Sequence, residues 1–203
     1  AAELLGKNIE DIKIITCHLG NGSSVAAVKN GKVIDTTMGL TPVDGLMMGT
    51  RCGSIDPSIT EYMIEEAGLS VDEVSSSYNK KSGLLGICGF NDNRDVEKAI
   101  ADGDENDRIV RYISQYYVEL EGKVDAIVMT AGVLENGSET RADIVNKLSC
   151  LGLKLNEEVN DSIAGFKDVN EGIITSEDSS IPVYVLPTNE EIMIIKDTYE
   201  LCK

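Results

Sequence analysis

Residues 12–37 read IKIITCHLGNGSSVAAVKNGKVIDTT, and their pattern decides the architecture. Ile12 to Cys17 is apolar and β-branched with no turn residue, the mark of a buried strand. His18 to Ser24 is a polar turn punctuated by glycine. Ser24 to Lys29 gives a second strand, Asn30-Gly31 is a two-residue hairpin signal, and Lys32 to Thr37 returns as a third. This antiparallel unit is not the strand-to-helix entry of Rossmann or Walker-type phosphate sites.

Downstream the pattern changes. Residues 41–57 form a long loop rich in Gly, Met and Pro, a length that usually carries function. Residues 57–67 and 71–78 read as helices, with 79–89 a second glycine-punctuated loop. A helix begins over 95–101 and a stronger one covers 108–120, joined by an acidic stretch. Residues 123–130 read as a buried strand and 131–137 as its turn. A helix follows over 138–149, with Ser138 as a candidate cap beside Glu139 and Arg141. Residues 181–186 fit an edge strand, and Thr188 or Asn189 caps a last helix running to Leu201. Residues 1–7 read as the end of an amphipathic helix, and the absence of an initiator Met suggests a chain that begins mid-protein. The sum is an α/β fold, a mixed sheet with flanking helices.

At 203 residues the chain has room for one good core. A net charge of −17 argues against nucleic acid and anionic membranes as partners, because both demand Lys and Arg to replace counterions. No apolar run approaches bilayer length. The five cysteines are scattered without a CxxC pair, which fits reduced thiols in a cytoplasmic protein.

Five clusters carry possible chemistry. In His18-Leu19-Gly20-Asn21-Gly22, two glycines flank Asn21 and let backbone N–H groups converge on an anionic oxygen, with Ser23 and Ser24 adding hydroxyls; a plain hairpin turn explains the same residues. Arg51, among small residues, suits a clamp on a transferred phosphoryl group, or a surface ion pair. Asp92, Asn93 and Arg94 suit ribose, base or metal-bound water, or a helix cap. Gly132, Val133, Leu134, Glu135 and Asn136 lie where a strand gives way to a helix, the place α/β folds offer to anionic ligands. Glu190, with Glu191, suits Mg²⁺, or simply a helix dipole.

In order, HLGNGSS, TPVDGLMMGTRCGSIDP, NDNRD, TAGVLEN and PTNEE resemble the acetate kinase family, over nearly the whole chain. The resemblance implies an RNase H-like domain of the actin/sugar-kinase/Hsp70 superfamily. It implies ATP/ADP and Mg²⁺, with Mn²⁺ as the other metal candidate. Arg51 would stabilise the transition state. His18, Leu19, Gly20, Asn21 and Gly22 would lie along the phosphates, His18 also serving the chemistry. Asp92, Asn93 and Arg94 would contact the nucleotide, Gly132 to Asn136 would hold the adenosine, and Glu190 would bind the metal.

The implied reaction is reversible phosphoryl transfer from ATP to acetate, giving acetyl phosphate and ADP. Propionate or butyrate kinase, and a non-catalytic nucleotide-binding or dimerisation module, are the alternatives. Residues 1–203 would be the carboxyl-terminal domain and form a homodimer. The acetate-binding Arg and catalytic Asp would belong to an amino-terminal half not in this chain, which alone would then be inactive. Two departures stand out. Leu134 occupies a position where the family has Gly, which would close the approach to the nucleotide. The stretch near Asp104 to Asp107 is shorter than the family's by about two helical turns.

Overall fold

The computed structural model describes residues 1–89, 104–165 and 169–202; the side chains of residues 88, 104, 105, 190, 191, 193, 196 and 197 lie outside that description. The helix expected over 95–101 therefore falls outside the described residues.

The three opening strands form as their alternation dictates. Strand β1 is Lys13–Leu19, β2 Ser23–Lys29 and β3 Lys32–Thr36. Strands β1 and β2 pair antiparallel in continuous register, Ile15 with Ala27 and Leu19 with Ser23, and β2 pairs antiparallel with β3 with a register shift between Ala27 and Val28. Asn30 and Gly31 both have positive φ (56° and 72°), as a tight primed hairpin turn requires. Strands β4 (Ala126–Thr130), β5 (Gly172–Ile173) and β6 (Val183–Val185) complete a six-stranded sheet of order β3-β2-β1-β4-β6-β5. Strand β4 runs parallel to β1 and to β6, and β5 is antiparallel to β6. The segment expected as an edge strand is thus an inner one. The edge is β5, whose two residues are too few for a periodic signal.

Helices are α1 (Ala2–Leu5), α2 (Ser58–Glu65), α3 (Val71–Lys80), α4 (Gly83–Cys88), α5 (Asp104–Glu119), α6 (Gly132–Asn136), α7 (Ser138–Lys147), α8 (Glu157–Ser162) and α9 (Glu190–Leu201). Two faces of the sheet are covered. Ile15, Cys17 and Leu19 point into the main core with Ile109, Ile113 and Tyr116 of α5 and Ile144 and Val145 of α7. Ile14, Ala126, Val128 and Tyr184 face the other way, toward Ala2 and Leu5 of α1. The period of two in β1 turns His18 away from the face that buries Cys17 and Leu19.

Two local expectations fail. Residues 83–88, read as loop, form α4. Its first free amides are satisfied by distant carbonyls, Leu84 N–H by Met48 (3.0 Å) and Leu85 N–H by Gly49 (2.9 Å), partners that a local pattern does not reveal. Ser138 is not a cap: it lies inside α7, whose N-cap is Gly137 without a side-chain bond. The cap of α9 is Asn189, which accepts from Ile192 N–H.

Candidate active site

Parallel strands β1, β4 and β6 end on the same side of the sheet, His18 paired with Thr130 and Met129 with Val185. Three connections therefore crowd together there: residues 20–22, residues 131–132 and residues 186–189. Open α/β sheets bind ligands at such carboxyl ends.

The first connection is tight. Gly20 N–H donates to Gly22 O (3.0 Å), and the buried Ser23 hydroxyl donates to Gly20 O (3.3 Å). None of residues 20–22 has a positive φ. One of the turn's amides and one of its hydroxyls are thus spent inside the turn. The glycines instead keep space open. A Cβ on Gly20 would stand 3.7 Å from Ala131 Cβ and 3.8 Å from His18 Nε2, and one on Gly22 would stand 3.6 Å from Arg51 Nη1. His18, the 20–22 turn, Ala131 and Arg51 thus line one small region, with Asn21 exposed at its rim. Among the described residues no group hydrogen-bonds the His18 ring.

Arg51 reaches this region from the long loop because the loop is pinned at both ends. Leu46 and Met48 are buried in the core. Met48 N–H donates to Arg51 O (3.1 Å), Cys52 N–H to Tyr78 O (3.0 Å) and Ser82 N–H to Thr50 O (3.1 Å). The Ser54 hydroxyl donates to Asp44 Oδ1 (2.6 Å) and accepts from Gly45 N–H (3.0 Å). Gly83, which the sequence reading did not single out, makes this fit possible. Its φ is +64°, and a Cβ there would come within 2.0 Å of Met48 O and 2.8 Å of Arg51 O. A Gly directly after a Ser at a helix start was the available signal. The guanidinium itself is lightly held. Its contacts are Pro42 O (3.4 Å) and Met48 Sδ (3.3 Å), and among the described residues no carboxylate pairs with it. The ion-pair alternative for Arg51 finds no support there.

The second connection carries a strained residue. Ala131 has φ 69° and ψ 164°, a region disfavoured for any residue with a Cβ. Helix α6 starts immediately after it. Leu134, suspected of closing the nucleotide approach, is fully buried in the main core and helical, with φ outside the left-handed region. Its side chain is thus packed in the core. Its carbonyl accepts from Arg141 Nη1 (2.7 Å).

Arg141 is fully buried and makes five hydrogen bonds to neutral acceptors: Leu134 O, Glu135 O, Asn160 Oδ1, Asn160 O and Ile163 O. Burial lowers its pKa from the ordinary arginine value, and Asp161 pulls it back up. Glu135 Oε1 accepts from Ala131 N–H (2.8 Å), Thr188 N–H (2.8 Å) and the Thr188 hydroxyl (3.0 Å). Asn136 Nδ2 donates to Gly132 O, and its Oδ1 accepts from Gly165 N–H (3.0 Å). Glu135 and Asn136, expected at the adenosine, thus bond the turn's own backbone and the segments at Thr188 and Gly165.

Asp92, Asn93 and Arg94, and the side chain of Glu190, lie outside the described residues. Cys17 is buried, which pushes its thiol up to about 12 and leaves it inert. Among the described residues no three His, Cys, Asp or Glu side chains gather as a metal cage, and no helix is long and apolar enough to cross a membrane.

The mixed sheet with helices on both faces, and with His18, the glycine turn and Arg51 gathered where its parallel strands end, is an RNase H-like domain of the actin, sugar-kinase and Hsp70 class. Residues 1–196 match the model of the acetokinase family. An acetate kinase of Clostridium novyi (strain NT) is 51% identical over 211 aligned positions, covering 99% of this chain and 51% of that relative. The crystal structure of Porphyromonas gingivalis acetate kinase superposes with a TM-score of 0.89 at 39% identity, covering 100% of this chain and 52% of that one. A propionate kinase from Francisella tularensis subsp. tularensis SCHU S4 gives 0.83 at 42% identity, covering 95% and 50%. The chain belongs to the acetokinase family. It spans about half the length of the relatives it matches.

Proposed function

We propose that the chain supplies the carboxyl-terminal, nucleotide-binding half of a kinase that moves the γ-phosphoryl of ATP to acetate, giving acetyl phosphate and ADP, and reverses the step. One observation carries the proposal: the Arg51 guanidinium, unpaired with any carboxylate among the described residues, stands against the glycine turn that ends β1. An acetate oxygen forms the new P–O bond as the bond to ADP breaks. Charge spreads over the equatorial phosphoryl oxygens, and a fixed guanidinium offsets it there. His18, on the same gap, offers an N–H to a phosphate oxygen. Asn21 and the free amides of the turn line the phosphates. Gly132 leaves the adenosine side open, since a Cβ there would meet nothing within 4 Å.

Mg²⁺ or Mn²⁺ fits a site of this kind. Such ions bind through one or two carboxylates, waters and substrate phosphates rather than an all-protein cage. Glu190, in the first turn of α9 and two residues past Thr188, is the donor, and the metal would neutralise charge on the phosphates. Asp92, Asn93 and Arg94 complete the nucleotide contacts.

The acetate pocket and catalytic Asp belong to the amino-terminal half, so this chain binds nucleotide without turning it over. A cytoplasmic homodimer completes the proposal. Propionate as acceptor is the second reading, favoured by the 42% identity to the Francisella propionate kinase. Calorimetric titration of the chain with Mg-ATP tests the proposal. Affinity that falls in Asn21→Ala and changes little in Arg51→Ala supports a ground-state phosphate turn and an arginine reserved for the transition state. No binding by a folded chain contradicts a half-site that takes nucleotide by itself.

A further inference from the structure

Glu135 joins two connections that the chain separates by 53 residues. A single carboxylate oxygen, Oε1, accepts from Ala131 N–H (2.8 Å), Thr188 N–H (2.8 Å), the Thr188 hydroxyl (3.0 Å) and, more distantly, Thr130 Oγ1 (3.4 Å). Thr130 Oγ1 and Thr188 Oγ1 are themselves 2.9 Å apart, and Ala131 N–H also reaches Thr188 Oγ1 (3.1 Å). These groups are the end of β4 and the loop that leads from β6 into α9.

Two further observations point to the same purpose. Ala131 is held at φ 69° and ψ 164°, a conformation that persists only where the surroundings over-determine it. Its amide is one of the bonds to Oε1, and its Cβ faces Gly20 of the phosphate turn. Glu135 is in turn fixed from behind, because the buried Arg141 guanidinium holds the Glu135 carbonyl (3.2 Å) and the Leu134 carbonyl (2.7 Å). A lever anchored in the core therefore ends in an oxygen that grips both connections. That oxygen has no lone pair left for a ligand.

We propose that Glu135 is a positioning residue: it fixes the strained Ala131 turn against Thr188 and so sets where the start of α9, with Glu190, stands relative to the nucleotide turn. The inference rests on the phosphoryl-transfer reading for its functional consequence but not for the staple itself. A neutral acceptor of the same shape suffices for a staple, whereas a carboxylate that touches the nucleotide or its metal needs its charge.

The test uses the full-length protein and two readouts: amide hydrogen exchange at Ala131 and Thr188, and titration with Mg-ATP. Glu135→Ala raises exchange at both amides by about tenfold and weakens Mg-ATP by a similar factor. Glu135→Gln, whose side-chain carbonyl still accepts, stays within about threefold of wild type in both. Thr188→Val, which removes only an exposed hydroxyl and leaves the fold intact, gives the same pattern in weaker form. Unchanged exchange at both amides in Glu135→Ala and Thr188→Val overturns the proposal. So does a Glu135→Gln variant that loses as much Mg-ATP affinity as Glu135→Ala, which would make the carboxylate a ligand contact. If wild-type protein failed to bind Mg-ATP, the phosphoryl-transfer reading would fall, and the exchange result alone would still decide the staple.

Discussion

Arg51 Nη1 stands 3.6 Å from the point a Cβ on Gly22 would occupy. The two residues are far apart in sequence and come from different structures, a long pinned loop and a hairpin turn. Their approach leaves a gap that a small side chain would fill, and the gap is the proposed phosphate position.

Filling that gap separates binding from folding. Gly22 has no positive φ and a Cβ there meets only ordinary contacts, so Gly22→Ala leaves stability unchanged or raises it by about 0.5 kcal/mol. Mg-ATP affinity falls by about tenfold or more. Thermal melting and calorimetry on the same sample check both. Loss of stability without loss of affinity contradicts the gap's role.

Gly83→Ala behaves in the opposite way. Its Cβ would collide with the carbonyls of Met48 and Arg51 in a left-handed conformation that disfavours Ala. A loss of about 1–3 kcal/mol or more is expected, read from the urea midpoint. Because the collision is with the Arg51 turn, proteolysis of the variant begins within residues 41–57.

Arg141→Met removes five donors from acceptors buried around α6 and α8. Unpaired buried acceptors are costly, so a loss of about 3 kcal/mol or more is expected by denaturant unfolding. A Met at this site that left stability unchanged would mean the network is neutral against apolar packing.

Lys147 bonds Asp107 of α5 (2.8 Å) and Asp143 of its own helix (2.9 Å). The hydrogen bond to Lys147 holds the Asp107 carboxyl below its ordinary range, and the bond to Asp107 raises Lys147. The lowered carboxyl contributes stability above its unfolded pKa and loses it as pH falls through the folded value. The raised lysine contributes below its unfolded pKa and loses it as pH rises through the folded value. The link is therefore intact between about pH 5 and pH 10. Urea midpoints of wild type and Lys147→Met should differ by a constant amount across that window and converge as pH falls through the lowered value of Asp107.

Much of the sheet was legible because its signals are local. Asn30-Gly31 dictates a primed turn, and the alternation around it fixes β1 to β3. Strand β6 was found, but its inner position follows from strand order, which no local pattern encodes. Helix α4 escaped because carbonyls of residues 48 and 49 cap it. Leu134 was read against a glycine in the family pattern, while its helical phase sends it to the core. Glu135 was named from the sequence as a candidate site residue, while its bond to Thr188 was not legible because Thr188 lies 53 positions away. Arg141 was noticed only as a neighbour of the candidate cap Ser138, and its burial was not legible because a fully buried arginine is the exception among charged side chains.

The most direct test of the central claim is steady-state acetyl phosphate synthesis by the full-length protein carrying Arg51→Ala. A guanidinium that acts on the transferring phosphoryl group predicts a fall in kcat of about a thousandfold, with KM for Mg-ATP moved by less than about threefold. A variant that keeps its kcat, or loses only affinity for Mg-ATP, would contradict it.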